Sequence, residues 1–178
     1  MRDLRLPIIR MTSAEEILWQ RIKRFAIDDP AAEFTFTDRL ARENGWSLSY
    51  AVRAVYEYKK FMFLICTTSH PLTPSDPVDQ VWHLHLLYTD SYWTGWCQQT
   101  LQQEIKHGPT RGGKAEKDKF HDYYEITQQR YRELFESPPP PDIWPTSAVR
   151  FGEINFVRVN THRHWIIPKP KFVRKWKF

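Results

Sequence analysis

The run Phe61-Met62-Phe63-Leu64-Ile65 is apolar on every side of whatever element carries it. Val52, Val55, Tyr56, Lys59, Phe63 and Cys66 recur at helical spacing through and around it, and Ser47 supplies a start just past Gly45. This pattern predicts a long helix from Ser47 to about Thr68. A helix that is apolar all round belongs in the interior, so the remaining elements must wrap it. A strand through 61–66 is the alternative reading of the same run.

The flanking segments also read as helices. Ser13-x-x-Glu16 is a capping box ahead of Ile17, Leu18, Ile22 and Phe25, which predicts a helix over 13–28 ended by Asp28-Asp29-Pro30. Thr37-Asp38 caps a short helix closed by Gly45. Thr89-Asp90-Ser91 restarts or kinks a helix that continues through Trp93, Trp96, Cys97, Leu101 and Ile105. A further helix runs from about Lys114 to Phe135, with Phe120, Tyr123, Tyr124, Tyr131, Leu134 and Phe135 toward the core. Ser137 and the prolines 138–141 stop it. The expected fold is all-α or mainly α, a compact bundle of about five helices over residues 1–136. A Pro-rich linker and an irregular basic arm follow over 137–178, with short strand-like patterns at Ile154 to Val159 and Trp165 to Ile167.

The net charge of +5 is unevenly spread. From Ile154 to Phe178 there are seven Lys or Arg and no acid, which leaves the rest of the chain net negative. In the tail, Lys169, Lys171, Arg174, Lys175 and Lys177 alternate with Phe172, Trp176 and Phe178. That mixture suits an acidic partner, a nucleic acid or an anionic membrane surface, or docking of the rings on the protein itself with the charges in water. Cys66 and Cys97 lie in apolar helical contexts and read as buried thiols. Leu4 to Ile9 is too short, and too broken by Arg5 and Pro7, for a signal peptide, and no apolar run reaches a membrane span. The expected compartment is the cytoplasm. The loop His107-Gly108-Pro109-Thr110-Arg111-Gly112-Gly113 lacks the ending of a phosphate loop.

Chemistry concentrates in Asp79-Gln80-Val81-Trp82-His83-Leu84-His85. Ser75-Asp76-Pro77 ahead of it is a helix-start signal, so Asp79 to Tyr88 is expected to be helical. Asp79 and His83 are four apart and share a face. His83 and His85 stand about 200° apart around the axis, so a regular helix does not bring both to one ion. His85 either joins through a distorted turn or points elsewhere.

Tyr58-Lys59-Lys60-Phe61, Thr73-Pro74-Ser75, Asp79-x-x-Trp82-His83-x-His85 and Tyr92 together resemble the conserved domain of the glycine-rich domain-containing protein (GRDP-like) family over about residues 15–136. The Asp-x-x-Trp-His-x-His core is the most specific part. His107 matches a further histidine of that family. The long glycine-rich C-terminal region of the plant members is absent here. The family's activity is unassigned, so the resemblance implies a domain and a site rather than a reaction.

Three readings of the site follow. A divalent metal, with Zn, Fe, Mn or Ni all suited to imidazole and carboxylate, would draw ligands from Asp79, His83, His85 and His107. That reading points to a metal-dependent enzyme, a hydrolase or an oxygenase. A metal-free acid–base site would use Asp79 to orient a histidine. Alternatively, the cluster is structural and the domain is a non-catalytic interaction or scaffolding module. His121 is a spare candidate, while His162 and His164 belong to the tail and read as surface residues.

Overall fold

The computed structural model describes residues 11–108, 114–152, 159 and 162–167. Among them the fold is mainly helical, with no strand and with helices α1 Ser13–Arg24, α2 Phe36–Asn44, α3 Leu48–Thr67 and α4 Asp76–Leu87. A π-helix Asp90–Leu101, α5 Lys114–Phe135 and the one-turn α6 Ser147–Arg150 follow. None of the described helices is long and apolar enough to cross a membrane. Trp165, Ile166 and Ile167 are exposed and form no strand. The patterned stretch at 154–158 and the tail from 168 onward lie outside the described residues.

α3 is the axis of the bundle and packs on α1, α2, α4 and α5. Ala51, Ala54, Tyr58, Phe61, Met62, Phe63 and Leu64 are buried along it. Val52 and Tyr56 are 54% and 45% exposed, against the expectation that they joined the apolar stripe. α3 buries the small residues Ala51 and Ala54 in this part of the helix instead. Phe63 meets Trp19 of α1 and Phe135 of α5, with ring centroids 5.4 and 6.0 Å away.

Helix starts follow hydroxyl and carboxylate chemistry, in places one or two residues from the expected positions. Thr12 and Glu15, rather than Ser13 and Glu16, make the capping box of α1. The sequence Thr-Ser-Ala-Glu-Glu offers both registers at the same spacing. α1 stops at Arg24, and its last carbonyls are closed by Lys59 from α3, whose Nζ donates to Lys23 and Phe25 at 3.2 and 2.6 Å. Thr35 and Asp38 box the start of α2, and Asp28 adds a second acceptor there by taking the Thr37 N–H and hydroxyl at 2.8 and 2.7 Å. Gly45 closes α2 in the left-handed conformation, φ 66°. Ser75 caps α4, with Pro77 in its first turn.

The proline run was expected to open a linker, but the segment after it packs on the bundle. Ile143 and Trp144 are buried, and the Trp144 indole N–H donates to Glu57 of α3 at 2.9 Å. The Pro145 carbonyl accepts from Tyr124 and Gln128 of α5 at 2.7 and 2.9 Å. Prolines lack an N–H to donate, and the segment is anchored by the Pro145 carbonyl and by the buried side chains of Ile143 and Trp144. Residues 137–152 therefore belong with the helical body, and they carry α6 back to α4.

Candidate functional site

α4 presents Asp79 and His83, one turn apart, on one face. The π-helix then ends in Gln102, held at φ 57°, which turns the chain back along α4. A buried relay fixes that return: the Trp82 indole N–H donates to the Tyr92 hydroxyl at 2.9 Å, and Tyr92 donates to the Ile105 carbonyl at 2.5 Å. Two residues on, His107 lies with its ring centroid 4.3 Å from Trp82, edge to face.

The result is a three-residue cluster. His107 Nε2 lies 2.8 Å from Asp79 Oδ1, and His83 Nε2 lies 3.8 Å from the same oxygen. One ligand atom from each of Asp79, His83 and His107 lies within 4.8 Å of the other two. Asp79 and His107 side chains are each 18% exposed, whereas His83 is 49% exposed, so the cluster opens to solvent on its His83 side. Two imidazoles and a carboxylate at that spacing can close on one divalent ion and leave further coordination positions open.

His85 is elsewhere. It is fully buried on the opposite side of α4, as the helical angle requires. Tyr58 and Ser91 hydroxyls hold its Nδ1 and Nε2 at 3.0 and 3.1 Å. Phe25, Phe36, Tyr58, Tyr92 and Trp96 surround its ring at centroid distances from 5.2 to 6.0 Å. Burial pushes its pKa down to about 3, and burial likewise raises the Tyr58 phenol well above its ordinary range. The Ser91–His85 contact has the spacing of a nucleophile and its base, yet an imidazolium there would find only a neutral phenol behind it. Both ring nitrogens are spent on hydroxyls, so His85 organises the core and takes no part in the Asp79 cluster.

Other histidines stand apart. His70, His121, His162 and His164 are exposed, and the His121 ring lies against Phe151 at 5.8 Å. The residue missed by sequence reasoning is Arg150, at the end of α6. Its Nη2 approaches Asp79 Oδ2 at 4.0 Å, and its Nε donates to the Pro74 carbonyl at 3.2 Å. Nothing in the local sequence marks it, because the contact spans the whole proline segment.

No family model, curated protein or solved structure matches this chain. The site's own geometry therefore carries the functional reading.

A second polar cluster lies across the bundle. Glu57, buried on α3, accepts from Lys60, Tyr131 and Trp144 at 2.9, 3.2 and 2.9 Å. It forms the base of an open groove of about 570 Å³ lined by Arg53, Tyr56, Lys60, Pro138 and Pro140. Its carboxylate oxygens are both engaged, and the cluster ties α3 to α5 and to the proline segment. Both cysteines are free thiols; Cys97 is buried as expected, whereas Cys66 is only half-buried, with burial raising its thiol pKa to about 12.

Proposed function

We propose that the domain binds one divalent metal ion through Asp79, His83 and His107, as the centre of a metal-dependent activity. The observation that carries this is the convergence of a carboxylate and two imidazoles, from α4 and the loop after the π-helix, on a space a few ångströms across. Three protein ligands and solvent access beside His83 are the attributes of a catalytic rather than a closed structural site. Hydrolytic chemistry at Zn and oxygen chemistry at Fe both use such donor sets. The resemblance to the GRDP-like family points to the same stretch as the site, since its Asp-x-x-Trp-His-x-His core contains two of the three proposed ligands. His85, included among the candidates on sequence, is left out of the proposed ligand set.

The test is elemental analysis of protein prepared without a histidine tag and dialysed against Zn, Fe, Mn or Ni. Wild type is expected to retain about one equivalent, as a single three-ligand centre does. His83→Ala and His107→Ala should each weaken binding by more than the ~10–100-fold that loss of an outer partner costs. Full occupancy in either variant would refute the ligand assignment.

A second reading has its own support. The 2.8 Å contact between His107 and Asp79 is a complete hydrogen bond without any ion, and it fastens the loop to α4. On that reading the cluster is a clamp in a non-catalytic interaction module. Absence of metal, with a melting temperature indifferent to chelator, would favour it.

A further inference from the structure

Arg150 stands beside the three proposed ligands without being one of them. Its side chain is 14% exposed and its guanidinium carbon lies 5.4 Å from the Phe151 ring centroid. The Pro74 carbonyl holds its Nε, so loop and helix fix the guanidinium from two directions. Asp79 is thereby shared: Oδ1 faces both histidines and Oδ2 faces Arg150. At 4.0 Å the Arg150–Asp79 approach is a charge contact, longer than a hydrogen bond. Arg150 is therefore not a simple bidentate partner that neutralises the carboxylate.

Charge decides what such a site will accept. A divalent ion on two neutral imidazoles and one carboxylate remains cationic, and Arg150 adds to that charge. A second carboxylate, Glu125, influences Tyr124 along with Arg150. Glu125 is exposed and accepts a hydrogen bond from Ser147, so solvent screens most of its field. A neutral ligand would leave the centre unbalanced, whereas an oxyanion would balance it. The planar donor fork of arginine matches the oxygens of a carboxylate or phosphate. Resting on the metal reading above, we propose that Arg150 makes this an oxyanion site. It would take a carboxylate- or phosphate-bearing ligand, with one oxygen toward the ion and another on the guanidinium, entering beside half-exposed His83.

The experiment uses the full chain loaded with Co(II), whose visible absorption reports the coordination shell. Oxalate and inorganic phosphate are titrated separately at constant ionic strength into wild type, Arg150→Gln and Arg150→Lys, which distinguishes carboxylate from phosphate. Wild type is expected to bind at least one of them with a change in the cobalt spectrum. Arg150→Gln should keep cobalt affinity within about threefold and lose at least tenfold in anion affinity, as loss of a charge-assisted hydrogen bond implies. Arg150→Lys keeps the charge, loses the fork and should fall between; it carries the comparison if melting curves show the glutamine variant unfolded. Equal anion affinity in wild type and the variants overturns the proposal while leaving the metal reading standing. So does failure of the cobalt-loaded protein to bind either anion, or equal binding by the metal-free protein. Failure of wild type to bind cobalt overturns both.

Discussion

His85 should make the protein acid-labile in a way that one substitution reveals. In the fold its pKa is near 3, because burial disfavours the imidazolium; in the unfolded chain an ordinary histidine titrates near 6.5. Below pH 6.5 the unfolded state takes up a proton that the folded state refuses, so stability is lost as pH falls and is fully present above that value. Each pH unit within this window is worth about 1.4 kcal/mol, so moving from pH 7.5 to 5.0 should remove about 2 kcal/mol through this residue alone. For a domain of this size that corresponds to roughly 4–8 °C in melting temperature. Urea unfolding followed by circular dichroism at pH 7.5, 6.5, 5.5 and 5.0, with chelator present, measures it. His85→Phe cannot titrate; it should start about 1–3 kcal/mol less stable, since Tyr58 and Ser91 lose their partner. Its pH profile should nevertheless be flatter by the ~2 kcal/mol calculated above. The exposed histidines and the carboxylates contribute equally to both proteins and cancel in the difference. Parallel profiles would refute the argument, as would an NMR spectrum showing His85 protonated in folded protein at pH 5.

Two further substitutions probe the body of the fold. Phe63→Ala should cost about 3–5 kcal/mol in urea unfolding, since the ring is fully buried between Trp19 and Phe135; a loss under about 1 kcal/mol would place α3 wrongly. Glu57→Ala should cost a similar ~3–5 kcal/mol, because it strands the Lys60 ammonium, the Tyr131 hydroxyl and the Trp144 indole N–H together. Near-neutral behaviour there would mean that water replaces the carboxylate and that the proline segment is held by its apolar contacts alone.

The sequence made the helices legible where their signals are local. Ser47, Ser75 and Gly45 stand at or beside the ends they were expected to mark. The start of α1 slipped by one residue because two candidate capping boxes, Thr12 with Glu15 and Ser13 with Glu16, overlap there. The opposition of His83 and His85 followed from helical angle alone. His107 was legible only through a family resemblance, because a loop residue has no periodicity to place it opposite Asp79. Arg150 and Glu57 were not legible. Arg150 meets Asp79 only after the chain has passed through α5 and the proline segment. Glu57 resembles any charge on a helix until its partners arrive from those same two elements. The expectation of a linker after Phe135 failed for the same reason: prolines announce an extended path, not what that path lies against.

The π-helix Asp90–Leu101 bears on how this protein can change over generations. Its hydrogen bonds run to the fifth residue rather than the fourth, and its buried residues Tyr92, Trp96, Cys97, Thr100 and Leu101 recur at intervals of four and five, as wider turns require. Each such turn holds one residue more than an α-turn. A descendant that lost one residue here could tighten locally into α-helix and still deliver Tyr92 to Ile105 at one end and the reversal at Gln102 at the other. Gaps between related chains would then fall inside a helix, where alignment methods expect none.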